Sequence, residues 1–559
     1  MGYALLALLF TLPASLQPTQ RYLGVPADQY SNAWNLWWTH QALFERGQGP
    51  YHTDLLWHPH GVSLWLHSLS ELNVAVGAPL AGVLPLAPLF NLLVLGHLAL
   101  AGLAAALLTR QVLGAGGEAP GADAAAWVGG AVFAWSSFHA GHAAHLNLVA
   151  TGALPLLLVA LLRWPAAPRR WGAAAALLTT VAGLCSWYHL VHAGLLSGLL
   201  LGWWALRAPR CRTGHHVAGA ALTLVLPLVL LLPWLVNMLA AAREPQQNEH
   251  DAAAFSADLL AWFVPGPLST WGAPFRGLWS RFPGNELELT TFVLPSAALV
   301  AWALLRARRA GAPLPFLGPL LLTGGLGFLL AHGPRLFVAG VDTGLPLLYA
   351  GLVRLVPPLR MAGVPLRFSV LVLLALAPLA GLAARRLSVR PWAGPALVLG
   401  VHLLSQAVWP FPAAPAQVPA FCRTIAADPR PVAVLDVTTL EQQADPLLRQ
   451  TAHGKPLVGG YLARVPRALA ATLKTPVVRQ LLLRTRRRQL LASGVSPADA
   501  EALGRLSPQE RAAEARDPAL PRLGVGWVIV ADDRARALLE ELGYPAQARE
   551  GTLSLHRVP

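Results

Sequence analysis

Residues 88–109 read PLFNLLVLGHLALAGLAAALLT, an apolar run without a single Asp, Glu, Lys or Arg. A helix needs about 20 such residues to cross the hydrocarbon core of a bilayer, so this run predicts a membrane span. The composition agrees: 55% of the 559 residues are hydrophobic, only 12% are charged, and the mean hydropathy is +0.49. Because soluble domains carry about 25% charged residues, a soluble enzyme of ordinary composition is excluded.

Similar apolar runs lie on both sides of this one and predict a mainly α fold, a polytopic bundle of about eleven transmembrane helices. The apolar segment 72–87 is the exception, since one extra crossing would move every later loop to the other side. We expect it to be interfacial or re-entrant, or paired with a further span. The eleven predicted spans are roughly 2–16, 88–109, 124–139, 141–162, 171–187, 189–206, 217–241, 289–305, 314–331, 366–384 and 391–409.

The arginines predict which side of the membrane each loop occupies. Alternate loops hold 13 Arg against two acids, whereas the long loops 17–87 and 242–288 together hold five Arg against ten acids. Basic loops stay in the cytoplasm. We therefore expect a cytoplasmic N-terminus and two large outer loops. The sequence is biased towards Ala, Leu, Arg, Pro and Gly, as a GC-rich bacterial genome would produce, so we expect the membrane to be a bacterial inner membrane. The net charge of +15 then reflects topology and does not indicate a nucleic-acid partner.

The chain changes character after residue 409. Four prolines between 410 and 419 form a stiff linker, and charged residues become more frequent. PVAVLDV (431–437), VGWVIVADD (525–533) and TLSLHRV (552–558) are typical of short buried strands with helical stretches between them. The sequence predicts a transmembrane domain over 1–409 and a small extracytoplasmic α/β domain over 410–559.

Asp28 is the first candidate for chemistry. It precedes SNAWNLWWTHQ (31–41), whose tryptophans share one helical face and predict an amphipathic helix lying on the outer leaflet. Asp28 could simply cap that helix. It could also be a carboxylate at the membrane surface that accepts a proton from an incoming hydroxyl. Later in the same loop, His58 and His60 flank a proline and form an incomplete metal pair.

Histidines cluster at two predicted outer turns, one around residues 139–147 and one around 188–192, which together predict a polar cavity open to the outer face. The second outer loop interleaves aromatic rings with acids, a plausible carbohydrate surface. At the mouth of a later span, Arg360 and Arg367 suit a phosphate or diphosphate group. They could equally snorkel to lipid headgroups.

Several phrases resemble the GT-C class of polytopic membrane glycosyltransferases, and more closely the bacterial YfhO-like and mannosyltransferase-like membrane proteins. The order of elements is similar too: a first span, a long outer loop with an early acid, many spans, a second outer loop and an outer α/β domain. The phrases are DQYSNAWNLWW (28–38), HPHGVSL (58–64), FSADLLAWFVPGP (255–267), PLRMAGVPLRF (358–368), HGKPLVGGYLARVP (453–466) and LGVGWVIV (523–530).

The resemblance implies a polyprenyl-phosphate-linked sugar donor and a glycan, lipid or protein acceptor. Asp28 matches the position of the class's first-loop general base, which sometimes acts through a bound Mg or Mn ion. Gln29 stands where a second acid is common, so metal dependence is open. By the same resemblance Arg360 and Arg367 lie near the donor phosphate. The residues that could complete the site from a distance are Asp54, Asp258, Glu286 and Glu288.

Two functions remain in view. The first is an inverting glycosyltransferase acting at the outer face. The second is a non-enzymatic lipid or polysaccharide transporter, or a cell-envelope assembly factor, on the same scaffold. A closed outer cavity in which Asp28 faces Arg360 or Arg367 favours the enzyme, and a continuous path between the leaflets favours transport. The sequence contains no Walker A, G-x-G-x-x-G or H-E-x-x-H motif.

Overall fold

The fold is mainly helical in a computed structural model of the whole chain, and its described residues form a four-stranded sheet near the C-terminus and four two-stranded pairs. The structure describes all residues except 27, 115–120, 248–249, 357–358, 361–362, 389, 439–443, 486–490, 492–495 and 504. Parts of the phrase PLRMAGVPLRF therefore lie outside the described residues.

Long helices dominate the first 409 residues, and shorter ones follow. The helices of eight or more residues are Gly2–Phe10, Gln29–His40, Glu71–Ala81, Leu86–Gly114, Ala122–Ala134, Ala153–Arg163, Pro168–Cys185, Trp187–Arg207, Gly214–Leu230, Leu232–Ala241, Leu294–Arg309, Leu317–Ala331, Leu348–Leu355, Ser369–Arg386, Ala393–Ser405, Asp445–His453, Pro476–Thr485, Pro508–Arg516 and Asp533–Glu541. The shorter α-helices are Ser137–Gly141, Leu146–Val149, Arg276–Trp279, Cys422–Ala427, Ala470–Leu473, Pro497–Leu503 and Ala519–Arg522.

Within the described residues, four helical segments are long and apolar enough to cross a membrane, or five if the pair Gly214–Leu230 and Leu232–Ala241, bent by 58°, forms one span. The eleven predicted spans are not confirmed. Several of the predicted runs form shorter helices, such as the 13-residue Ala393–Ser405. The segment around 72–87 forms the 11-residue helix Glu71–Ala81, about 16 Å long and too short to cross. The four segments are Leu86–Gly114, Leu146–Arg163, Trp187–Arg207 and Pro365–Arg386.

The last of these segments is the centre of the helical bundle. Its most apolar window is 94% buried inside the protein, so other helices surround it on nearly every side. Small residues allow the close approach of its neighbours: a Cβ at Gly129 would lie 2.8 Å from the carbonyl oxygen of Ala377 and would also clash with Thr109. Glycine at this position therefore sets the distance between three helices.

Each of the three strands predicted after residue 409 is present. They belong to one four-stranded sheet, in which Val525–Val530 pairs parallel with Ala433–Asp436 and antiparallel with Leu553–Arg557, and Ala546–Glu550 forms an edge. The other strands form two-stranded pairs: Arg21–Leu23 with Ala413–Pro415, His52–Thr53 with Val62–Ser63, Gln246–Gln247 with Val465–Pro466, and Arg335–Val338 with Val341–Pro346.

Residues 17–87, the predicted first outer loop, pack against the C-terminal region, and both contribute to one hydrophobic core. In that core the Gln29–His40 helix is buried on nearly all faces, with Trp34 and Trp38 fully buried. The Trp34 Nε1 donates a hydrogen bond to Gln450 Oε1 at 2.7 Å. The prediction that this helix lies on the outer leaflet is therefore wrong, because its tryptophans pack against protein. The boundary of the two predicted domains at residue 409 stays a prediction.

Candidate active site

A cavity of about 790 Å³ is lined by residues of the predicted outer loops 17–87 and 242–288, of several helices and of the C-terminal region. Both polar and apolar side chains line it, and the apolar ones include residues of the Leu232–Ala241 helix and residues after the Leu348–Leu355 helix. The polar residues that line it include Asp28, Ser31, Asn32, His67, Ser68, His145, Asn147, Tyr188, His250, Asp251, Asn285, Glu288, Arg367, Tyr461 and Arg464, and the apolar ones include Trp187, Leu190, Val191, Leu235, Met238, Leu239, Val356, Leu359 and Val364.

Asp28 occupies the N-cap position of the Gln29–His40 helix, yet its side chain makes no capping hydrogen bond. Its carboxylate turns into the cavity. There Oδ1 accepts a hydrogen bond from the Tyr461 hydroxyl at 2.6 Å, and Oδ2 lies 2.6 Å from His145 Nε2. Burial raises the pKa of Asp28, but His145 and Tyr461 outweigh it and lower that pKa to about 2. Asp28 is therefore ionised at neutral pH, and the capping interpretation does not describe its side chain.

His67 links the helix that follows Asp28 to the C-terminal region. Its Nε2 lies 2.9 Å from Asn35 Oδ1, and its Nδ1 accepts a hydrogen bond from the backbone of Ala463 at 3.3 Å. Burial lowers the pKa of His67 to about 4, so the ring is neutral at pH 7. These two contacts assign the proton to Nε2, because Nδ1 faces an N–H donor.

Arg367 lies on the same cavity as Asp28 and is held by a buried carboxylate. Glu288 Oε1 accepts hydrogen bonds from Arg367 Nε at 3.0 Å and Nη2 at 2.6 Å. The guanidinium also lies 4.4 Å above the Tyr188 ring. Burial raises the pKa of Glu288, but Arg367 first and His142 second outweigh burial and lower it below the ordinary range. Glu288 is therefore ionised, and this ion pair holds the Arg367 guanidinium in place at the cavity wall.

His142 supports Glu288 from behind. Its Nδ1 lies 2.7 Å from the Phe138 carbonyl oxygen, and its Nε2 lies 3.1 Å from Glu288 Oε2. Both ring nitrogens face acceptors, so a proton must lie between Nε2 and the carboxylate for both contacts to be hydrogen bonds. The histidines around 139–147 and 188–192 were predicted to line a cavity, and only His145 among them lines this one.

The structure brings together three of the predicted site residues: Asp28, Glu288 and Arg367. The other predicted site residues are not among those that line the cavity. Asp54 is exposed and forms an ion pair with Arg46 at 2.8 Å. His58 is half-buried near Leu523 and Gly524, and His60, Glu286 and Arg360 are exposed.

Asp258 is also removed from the cavity, although it is fully buried. Its Oδ1 accepts hydrogen bonds from Leu260 and Ala339 backbone N–H groups, and its Oδ2 accepts one from Gly340 at 2.7 Å. It therefore organises a turn against the Arg335–Pro346 hairpin, a structural role that its place in an aromatic-rich loop did not reveal.

Sequence reasoning missed Tyr461, Arg464 and His250, which all line the cavity. Tyr461 and Arg464 lie within HGKPLVGGYLARVP, one of the phrases that carried the resemblance. No spacing in the sequence could relate Tyr461 to Asp28, because 433 positions separate them. Arg367 and Arg464 act together on His250: burial first and these two cations next lower the pKa of the His250 ring to about 4.

A divalent metal does not fit the described part of this site. Mg²⁺ and Mn²⁺ prefer several oxygen ligands, and both oxygens of Asp28 are occupied by Tyr461 and His145. Among the described residues, no group of three or more His, Cys, Asp or Glu side chains is arranged to hold a metal ion. His58 and His60 remain without a third ligand in that part of the chain.

No protein-family model and no curated protein matches the chain. The solved structures that resemble it include two oligosaccharyltransferases of Archaeoglobus fulgidus. The archaeal oligosaccharyltransferase AglB, in complex with an inhibitory peptide and a dolichol-phosphate, is 12% identical, with a TM-score of 0.41. The apo oligosaccharyltransferase is 11% identical, with a TM-score of 0.44. Each match covers 94% of this chain and 68% of the other. With TM-scores below 0.5, neither likeness says what this chain does.

Proposed function

We propose that the protein is a membrane glycosyltransferase that transfers a sugar from a polyprenyl-phosphate-linked donor to an acceptor at the outer face of the membrane. One observation carries the proposal: an ionised carboxylate, Asp28, and a held guanidinium, Arg367, line the same cavity. A base for the attacking hydroxyl and a cation for the departing phosphate are the two groups that such a transfer needs.

The reaction requires no group beyond those on the cavity wall. The acceptor hydroxyl oxygen forms a bond to the anomeric carbon of the sugar, while the bond from that carbon to the donor phosphate oxygen breaks. The electron pair of the broken bond leaves with the phosphate. The hydroxyl proton passes to Asp28. Because the pKa of Asp28 is about 2, it is a weak base and accepts the proton late, after the new bond has made the hydroxyl acidic.

Arg367 is the group that stabilises the leaving phosphate in this mechanism. Glu288 accepts two of its N–H groups and so fixes the plane of the guanidinium, while the remaining N–H groups are available to phosphate oxygens. Arg464 adds a second cation on the same cavity. Arg360 has no part in this proposal because it is exposed and apart from the cavity.

The apolar residues of the cavity wall suit a polyprenyl chain. Leu235, Met238 and Leu239 come from one helix, and Val356 and Leu359 come from a later segment of the chain. Leu239 is also 59% exposed, so this helix reaches the surface of the protein as well as the cavity. A transporter on the same scaffold has less support, since a paired base and phosphate cation have no evident task in a path between leaflets.

The proposal is tested with the purified protein in nanodiscs and a panel of polyprenyl-phosphate sugars that differ in the sugar. Release of free polyprenyl phosphate is measured with and without glycan, lipid and peptide acceptors. We expect at least one donor to be consumed, and the rate to rise with its acceptor. Binding of the donors without any consumption would favour the transporter, and no binding at all would refute both functions.

A further inference from the structure

The segment Gly460–Arg464, here called the strap, crosses the cavity between the two outer loops. Just before it, Leu457 donates a backbone hydrogen bond to Leu55 at 2.8 Å, and Trp57 donates one to Gly459 at 3.0 Å. Just after it, Val465 and Pro466 pair with the strand of the second outer loop. The strap is therefore held to both edges of the cavity.

Within the strap, residues 461–464 all contribute to the cavity wall. Tyr461 is only partly buried, and its hydroxyl reaches Asp28 Oδ1 at 2.6 Å. Gly460 has φ +152°, and a Cβ there would lie 3.0 Å from the Leu56 side chain. Glycine thus allows the turn that aims the tyrosine inward.

The second oxygen of Asp28 is already committed to His145 at 2.6 Å. His145 is buried at the start of the Leu146–Val149 helix, whereas Tyr461 lies on a strap without regular secondary structure. Tyr461 is the less buried of these two donors, so it is the one that a hydroxyl entering from the cavity replaces more readily on Asp28. The Tyr461 O–H is also the same chemical group as the acceptor's.

We propose that the Tyr461 hydroxyl occupies the acceptor-hydroxyl position on Asp28, and that a hydroxyl-bearing acceptor binds by displacing it. This inference rests on the proposed function for its biological meaning. Before an acceptor binds, the Tyr461 hydroxyl covers Oδ1 of Asp28. When the acceptor binds, its hydroxyl takes the place of the Tyr461 hydroxyl at Oδ1. Tyr461 is then a residue that sets acceptor affinity and excludes water, and it takes no part in the transfer itself.

The apparent affinity for a ligand is the intrinsic affinity multiplied by the fraction of protein that is in the state able to bind it. A hydrogen bond to a charged group contributes about 1.5–3 kcal/mol, so opening the Tyr461 contact should weaken acceptor binding by about tenfold or more. Removing only the hydroxyl, with Tyr461→Phe, should recover that factor. The ring remains and keeps the strap packed.

The test uses infrared spectroscopy of the Asp28 carboxylate, assigned from the difference between wild type and Asp28→Asn, with glycerol as a small hydroxyl probe titrated into the molar range. We expect half-maximal change of the band at about tenfold lower glycerol in Tyr461→Phe than in wild type. Tyr30→Phe is the matched control, because it loses a hydrogen bond to Pro415 outside the cavity. It should behave as wild type.

Equal or weaker glycerol binding by Tyr461→Phe, or no effect of glycerol on the band in either protein, would overturn the inference. This measurement needs no sugar transfer, so it stands apart from the proposed function. With an active donor, Tyr461→Phe should lower the KM for the acceptor about tenfold at unchanged kcat. A fall in kcat at unchanged KM would instead make Tyr461 a group of the transition state.

Discussion

Asp28 is a half-buried carboxylate that keeps its charge because it lies within hydrogen-bonding distance of two donors, Tyr461 and His145. The stronger of the two influences is His145, which acts through both its charge and its hydrogen bond. Without the His145 ring, burial would raise the pKa of Asp28, and only Tyr461 and the more distant Arg367 would lower it. The pKa of Asp28 should therefore depend on His145.

The variant His145→Ala should raise the pKa of Asp28 from about 2 towards or above its ordinary value of about 4. The acid limb of kcat/KM should move to higher pH accordingly, because the base is active only when ionised. A pH–rate profile in the donor assay measures this, with the exposed His60→Ala as the matched control. An unmoved acid limb in His145→Ala would separate His145 from the charge of Asp28.

Glu288 and Glu286 are neighbours in sequence with opposite surroundings. Glu288 is buried and compensates Arg367, whereas Glu286 is exposed. Glu288→Gln leaves a buried guanidinium without its counter-charge, which typically costs about 3–5 kcal/mol. We expect a clearly lower Tm for Glu288→Gln and an unchanged one for Glu286→Gln in thermal unfolding in detergent. Equal melting of the two variants would mean that Arg367 does not need this carboxylate.

Sequence reasoning identified Asp28, Glu288 and Arg367 as candidates and could not separate them from Asp54, Asp258, Glu286 or Arg360. All are charged groups in the predicted outer loops or at the predicted mouth of a later span, so residue type alone does not discriminate. The difference lies in which side chains turn into one cavity, and that depends on contacts between distant segments. Asp258 shows this best, since backbone N–H groups from residues 339 and 340 occupy its carboxylate.

Helix packing depends on small residues at particular crossings. Gly129→Ala should lower stability by about 1–3 kcal/mol, because the added Cβ would meet Thr109 and the carbonyl oxygen of Ala377. Gly96→Ala, on the Leu86–Gly114 helix, has nothing within 4 Å of the added atom. It should be neutral or slightly stabilising, since alanine is the better helix former.

Thermal unfolding in detergent compares the two glycine variants directly. If the Gly129→Ala protein had the same Tm as the Gly96→Ala protein, this would contradict the close crossing of the helices at Gly129.

Apolar runs and strand patterns predicted well where helices and strands form. They predicted less well whether the side chains of those elements face the membrane or the rest of the protein. The three C-terminal strands are present, and the helix after Asp28 runs from residue 29 to residue 40. Its tryptophans, however, were expected at a membrane surface and are buried in protein. A stripe of Trp fits either apolar environment equally well, and only the distant Gln450, which receives the Trp34 hydrogen bond, distinguishes them.

Segments that are far apart in the chain meet at the cavity. Residues 28, 145, 288, 367 and 461 meet there. Strand pairing of Tyr22 with Ala414 joins the first outer loop to the C-terminal region as well. The eleven predicted spans required that each apolar run be a full crossing, but hydropathy cannot tell a crossing from a short buried helix.

Charge distribution predicts that the loops rich in arginine face the cytoplasm and that the cavity faces outward. The native cysteines are buried, so single reporters can be added: Asp54→Cys in the first outer loop and Arg308→Cys at the end of the Leu294–Arg309 helix. We expect a membrane-impermeant maleimide to label Asp54→Cys in intact cells, and Arg308→Cys only after permeabilisation. The reverse pattern would invert the topology.

The most direct test of the central claim is the rate of sugar transfer by Asp28→Asn, measured with the donor that wild type consumes. The amide is nearly isosteric but cannot accept the hydroxyl proton, so we expect kcat to fall by about 10²–10⁴-fold. Membrane insertion and Tm should be largely retained. Asp54→Asn, which removes an exposed carboxylate of the same outer loop, should transfer sugar at the wild-type rate. Wild-type transfer by Asp28→Asn would contradict the proposal.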